Sequence, residues 1–306
     1  MSTILPHART NLERIVREVD ALCKGVRLPQ KKSRRGRKPI YTDRSILKLV
    51  VIQHLLGFTS ERSFLRFVPK LKCSAFRRVP DQSQYNRRAK RLKPLTERLT
   101  SRMSTRLKLD RCKVRVIDTT PVPVVRLSRA KRRRLFTNRQ EAAIGYCAAQ
   151  KTYYCGVKLT LVVNENGVPR THDLQPANRS DLRCLESMMS TRRPLSRVIL
   201  VGDKGYISEP TKRWLQESWR VTLITGYRKN QRRRNTRGEK RLLKKRRIIE
   251  TIVSQLKDQM GLERLRAKTY QGLTARIDNL LFTYLFGVYF NTMTKRNPLN
   301  LKSILT

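Results

Sequence analysis

Apolar residues recur at two different periods along this chain, and the change of period divides it. Before about residue 108 the spacing is helical: Leu12, Ile15, Val16, Val19 and Leu22 share one face of a helix predicted over Asn11 to Cys23. Thr42 and Asp43 offer an N-cap to an apolar helix that runs to about Leu56 and stops at Gly57. Ser60-Glu61 opens a short helix over Arg62 to Val68. After Pro80, Asp81 or Ser83 opens another through Tyr85-Asn86-Arg87-Arg88-Ala89-Lys90-Arg91, whose exposed face is strongly positive. Three such helices on tight Gly and Ser turns suggest a helix-turn-helix-like DNA-binding module, with Arg87, Arg88 and Arg91 toward DNA; small helical bundles share the arrangement.

From Arg111 onward the pattern becomes alternating strands and helices. Val114 to Asp118 alternates apolar and polar, and Cys155 to Val163 and Val168 to Leu174 are β-rich runs around Asn164-Glu165-Asn166-Gly167. Asn-Gly there signals a hairpin, because both residues tolerate positive φ. Pro176 breaks the second run, and Asn178 to Asp181 can cap a helix over Leu182 to Ser190. A strand over Arg197 to Gly202, a helix near Pro210 to Ser218 and a strand over Arg220 to Thr225 follow. A basic loop, Arg228 to Gly238, precedes an amphipathic helix over Arg246 to Lys257. This order fits an α/β ribonuclease H-like mixed sheet with flanking helices, preceded by an all-α helix-turn-helix-like domain. The predicted organisation is a helical domain at 1–108 with a basic linker near 31–39, a catalytic domain at 109–292 and a carboxyl-terminal tail at 293–306.

Charge narrows the partner. With 70 Lys and Arg against 22 Asp and Glu in 306 residues, the formal charge is +48. Such a surface gains affinity for nucleic acid by releasing counterions from phosphates, and a polybasic membrane-surface protein is the competing reading. No apolar stretch approaches the roughly 20 residues of a membrane-spanning helix, and no apolar signal region follows Met1. A soluble cytoplasmic, nucleoid-associated protein is expected. Six cysteines form no C-x-x-C pair, which disfavours structural zinc, and His7, His54 and His172 lie in unrelated settings that suggest no Ser-His-Asp catalyst.

Three acids remain to be explained in so basic a chain. Asp118 closes the run Val114 to Asp118, Asp203 follows Val198 to Gly202, and Glu250 lies within the Arg246 to Lys257 helix. Two strand-borne aspartates and a helix-borne glutamate offer hard oxygen ligands suited to Mg²⁺ or Mn²⁺. Blander roles exist: a strand-end carboxylate can cap a turn, and Glu250 can pair with Arg246 or Arg247. Asp173 and Asp181 are rival acids, but Asp181 sits where a helix N-cap is wanted and is left out of the metal set. At about 100° per residue, Arg246 and Lys257 lie roughly 40° and 20° from Glu250 on one helical face. Lys204 follows Asp203 and is placed for a phosphate, whereas Tyr206 reads equally as core. In the linker, Arg35-Gly36-Arg37 resembles an AT-hook, although Lys38 intervenes before Pro39; a solvated linker is the alternative.

These segments together resemble the DDE transposases of small bacterial insertion sequences. The resemblance runs from about Arg37 to Asn291. It is carried by Ile117-Asp118-Thr119-Thr120-Pro121-Val122, by Gly156 to Val163 with the Asn-Gly turn, by Gly202-Asp203-Lys204-Gly205-Tyr206, and by the Arg246 to Lys257 helix. The last segment fits a Tyr-x2-Arg-x3-Glu-x6-Lys signature except at its first position, where Leu243 stands. The resemblance implies Asp118, Asp203 and Glu250 as catalytic, metal-binding residues. Asp118 would bridge two Mg²⁺ ions, with Mn²⁺ able to substitute. It also implies cleavage at the element's terminal inverted repeats, transfer of the 3′-hydroxyl ends to target DNA, and a homodimer assembled on double-stranded DNA.

Overall fold

A computed structural model describes residues 6–26, 40–108, 112–132, 136–138, 141–148, 150–192, 195–228, 231 and 233–305. The chain forms two compact units. One comprises residues 1–108, 256–267 and 271–306, the other residues 109–255 and 268–270.

The helical unit begins with α1 (Pro6–Cys23), α2 (Asp43–Leu55), α3 (Glu61–Phe67), α4 (Gln82–Ala89) and α5 (Lys93–Arg106). The expected caps are in place: Thr42, Ser60 and Asp81 accept from the amides of Ser45, Ser63 and Gln84. Helix α2 buries Ile46, Leu47, Leu49, Val50, Val51 and Ile52, too wide an arc for a surface helix, and so runs through the middle of this unit. Helix α4 ends at Ala89 rather than running through Arg91. Helix α5 is absent from the sequence-based expectation; its polar run of Thr, Ser and Arg obscures the buried Leu95, Leu99 and Met103.

In the second unit β1 (Val114–Val125), β2 (Ala143–Cys147), β3 (Thr152–Asn164) and β4 (Pro169–Pro176) form the antiparallel part of one sheet. After α6 (Asp181–Arg192), the short strand β5 (Ile199–Val201) returns parallel to β1. After α7 (Glu209–Trp219), β6 (Thr222–Ile224) pairs parallel to β5. The strand path is β2-β3-β1-β5-β6, with β4 also on β3. Strands β2 and β4 share the outer edge of β3, opposite Thr152 to Gly156 and Val157 to Val163 respectively. This is the expected ribonuclease H-like mixed sheet with flanking helices.

Two local expectations need correction. Asp118 does not end its strand, because β1 continues to Val125 along β3. Pro121 and Pro123 look like strand breakers, but β5 accompanies β1 only over Val114–Val116, so the far edge of β1 has no partner strand that needs their missing N–H groups. In the β3–β4 hairpin only Gly167 takes positive φ, at 78°. Gly167 N–H donates to Asn164 O, and Asn164 N–H to Val168 O, the pattern of a turn closed by a glycine bulge.

Helices α8 (Arg237–Lys244) and α9 (Arg247–Asp258) follow β6. The helix expected from Arg246 therefore begins one residue later, after a turn at Lys245 and Arg246. The preceding α8, with its Thr236/Glu239 capping box, takes over the end of the basic loop expected as far as Gly238. The last helix, α10 (Tyr270–Met293), groups with the helical unit from residue 271. Its apolar run from Leu280 to Phe290 is buried in that unit. The expected tail carries a 3₁₀ turn at Leu301–Ile304 whose Leu301 and Ile304 pack against Gly287 of α10. No described helix is long and apolar enough to cross a membrane.

Candidate active site

The acid-bearing end of the sheet follows from strand register. Strand β1 runs parallel to β5 with Val116 opposite Val201, so carrying the register two residues further brings Asp118 beside Asp203. The sequence places each acid after an apolar run; in the fold they lie near enough that the charge of Asp203 acts on Asp118. Each carboxylate is held by a main-chain amide. Asp118 Oδ1 accepts from Thr119 N at 2.8 Å, and Asp203 Oδ1 accepts from Gly205 N at 2.7 Å while capping the turn Lys204–Tyr206.

Burial, helped by the negative charges of Asp203 and Asp181 and opposed by the Thr119 amide and Arg246, raises the Asp118 carboxyl to about 6. Tyr206 lies under this end, fully buried in a core of Ile117, Val162, Leu185, Met188 and Leu200. Its phenol is raised by burial and then by Asp181, Asp118 and Asp203, and its hydroxyl has no hydrogen-bond partner among the described residues.

Asp181 is not the N-cap of α6. That role belongs to Ser180, whose Oγ accepts from Arg183 N, which leaves the Asp181 side chain free to turn toward the acids. Its Oδ1 accepts from Thr119 Oγ1 at 2.7 Å and from Lys158 Nζ at 2.8 Å. Sequence reasoning passes over both Asp181 and Lys158. Two adjacent capping residues, Ser180 and Asp181, conceal that only one is needed. A lone lysine in the apolar run Gly156 to Val163 is the available signal for the other.

Glu250 stands apart from this cluster. It occupies the first turn of α9, is 58% exposed, and lies 3.8 Å from Arg246. Arg246 links the two regions, since its charge also acts on Asp118. Lys257 pairs with Glu263 at 2.9 Å. Lys204 is exposed directly after Asp203. In the helical unit Arg87 and Arg91 are exposed, whereas Arg88 is partly buried and pairs with Asp43 at 2.7 Å. Arg35 and Arg37 lie outside the described residues.

The donor set fits a divalent cation. Asp118 and Asp203 offer hard oxygen donors that could hold one, and the burial and repulsion that raise Asp118 are what a 2+ charge would offset. Among the described residues no three carboxylate, imidazole or thiol groups are gathered closely enough to enclose an ion as placed.

Residues 108–270 match the family model described as Transposase DDE domain, and the chain belongs to that family. Among solved structures, the piggyBac transposase synaptic complex with hairpin DNA is similar at 11% identity and TM-score 0.46, over 99% of this chain and 77% of that one. No curated protein sequence matches.

Proposed function

We propose that this protein is a DNA transposase that cleaves phosphodiester bonds at the ends of a bacterial insertion sequence and transfers the 3′-hydroxyl ends to target DNA. The observation that supports this reading is the position of Asp118 and Asp203 two residues beyond the last β1–β5 pair, near enough that burial and the Asp203 charge together press Asp118 toward its neutral form.

Asp118, Asp203 and Glu250 would hold two Mg²⁺ ions, with Mn²⁺ able to substitute. When bound, such ions lower the pKa of an attacking water or hydroxyl and stabilise the departing oxygen. The chain's own residues set up that chemistry. Thr119 and Gly205 orient the two aspartates through their amides. Arg246 pairs with Glu250 and its charge acts on Asp118; a DNA phosphate that takes the guanidinium releases Glu250 to serve as the third acid. Lys204 and Lys257 supply further phosphate contacts, and Arg87 and Arg91 of the helical unit, with Arg35 and Arg37 in the linker, bind the duplex. Joining two ends requires two DNA-binding protomers, hence a homodimer on DNA.

The test is cleavage and joining of a labelled duplex carrying the element's end, in Mg²⁺ or Mn²⁺ and in chelator. Metal-dependent cutting lost in Asp118→Ala, Asp203→Ala and Glu250→Ala, with joined products from the wild type, supports the proposal. Cutting without joining leaves a nuclease of the same fold.

A further inference from the structure

The amides that hold the two aspartates converge on a third acid. Thr119 gives its N–H to Asp118 and its hydroxyl to Asp181 Oδ1 at 2.7 Å. On the other side, Gly205 gives its N–H to Asp203. A Cβ on Gly205 would lie 2.9 Å from Asp203 Oδ1 and 3.0 Å from Asp181 Oδ2, so both carboxylates press on this residue and glycine alone leaves room for them. Asp181 thus sits behind both holders. Its own charge is met by Lys158 Nζ at 2.8 Å, an ammonium only 17% exposed. Asp181 also opens α6, whose buried Leu185, Met188 and Met189 fix it to the sheet.

We propose that Asp181 is a positioning residue that braces Asp118 through the Thr119 hydroxyl and Asp203 through the Gly205 turn, with Lys158 neutralising it so that it serves as brace rather than ligand. This rests on the reading of Asp118 and Asp203 as the working acids. Mis-setting a reacting or ligating group by about 1 Å costs on the order of 100-fold in rate, so a brace at this point governs turnover without touching substrate. Two other roles make different demands. A metal ligand needs the negative charge of Asp181 itself. A first-turn acid that only complements the α6 dipole affects melting and nothing at the acid pair.

The experiment uses the full chain with Asp181→Asn, Asp181→Ala, Thr119→Val, Thr119→Ser, the double variant Thr119→Val/Asp181→Ala, and Asp118→Ala as reference. Three quantities are read: binding of Mn²⁺ alone by electron paramagnetic resonance, single-turnover cutting of the end duplex, and melting temperature. Asp181→Asn and Thr119→Ser keep an acceptor and a hydroxyl and should stay within about 3-fold of wild type in rate and Mn²⁺ affinity. Asp181→Ala and Thr119→Val should lose about 30- to 100-fold in rate and about 10-fold in Mn²⁺ affinity, and the double variant should be no worse than either single one. Asp181→Asn as deficient as Asp181→Ala overturns the brace in favour of a ligand. Wild-type rate and affinity in both Asp181→Ala and Thr119→Val overturn it in favour of a helix-end role. If Asp181→Ala fails to fold, the near-isosteric Thr119→Val decides between brace and helix-end role alone. Unimpaired cutting by Asp118→Ala would sink the acid-pair reading and the brace with it, whereas loss in Asp118→Ala beside normal Asp181→Ala and Thr119→Val sinks only the brace.

Discussion

Two acids in this protein, one buried and one partly buried, live in opposite surroundings. Glu61, 8% exposed in the helical unit, accepts from Arg276 Nη2 at 2.6 Å and from Asn86 Nδ2 at 2.9 and 3.0 Å. Around it Gln53, His54, Tyr85 and Asn279 help line a small pocket of about 30 Å³, where Tyr85 donates to Gln53 at 2.6 Å. Asp118, in the sheet unit, has one amide and faces Asp203 and Asp181. A buried carboxylate with a guanidinium and an amide serves architecture. One left among like charges costs stability, and that cost has meaning only when a cation or a phosphate-bound metal joins it.

The contrast breaks most sharply if Asp118→Asn keeps cutting; the expected outcome is a loss of at least about 1,000-fold in metal-dependent cleavage of the end duplex, with folding intact. Next in size is Arg276→Met, which strands Glu61 without its cation and should cost about 3–5 kcal/mol, read as a lower denaturation midpoint.

The pH dependences of the two units run in opposite directions. The Asp118 carboxyl stands at about 6 in the fold against an ordinary 3.8, so the unfolded chain gives up that proton first. Stability is lost as pH rises from about 4 to about 6 and stays lower above. Asp118→Asn should therefore stabilise the metal-free protein by up to about 3 kcal/mol at pH 8 and by nothing below pH 4, in urea titrations at both pH values. His54 is pressed down from 6.5 to about 4 by burial and by Arg276, and its Nδ1 has no partner among the described residues. There the unfolded chain takes up the proton first, so stability falls as pH drops from 6.5 toward 4, and His54→Gln should flatten that limb. The smallest effect concerns the basic helix: Arg87→Ala should reduce the slope of log affinity for duplex DNA against log salt by about 1, while Arg88→Ala, which breaks the Asp43 pair, should show mainly in melting temperature.

Much of this is readable from residues alone. Thr42, Ser60 and Asp81 announce their helices because a cap is a local hydrogen bond between residues three apart. The strand and hairpin runs and the order of the acids are legible for the same reason. What the sequence misjudges depends on partners distant in the chain. Asp118 looks like a strand end until β1 is seen to run on to Val125 along β3, which lies about 40 residues further on in the chain. Asp181 looks like a cap until Thr119, 62 residues away, claims its oxygen. Arg88 looks like a solvated helix cation until Asp43, 45 residues away, pairs with it.

The sequence by itself determined that the chain is polycationic, that helices precede a mixed α/β unit, and that Asp118, Asp203 and Glu250 follow or lie within apolar or amphipathic runs in that order, because charge, period and order are properties of the string. Tertiary structure alone decided that Asp118 and Asp203 are neighbours and that Thr119, Lys158 and Asp181 gather beside them. Strand register and sheet packing bring together residues from β1, β3, α6 and the turn after β5, and no local preference encodes distances between segments so far apart in the chain.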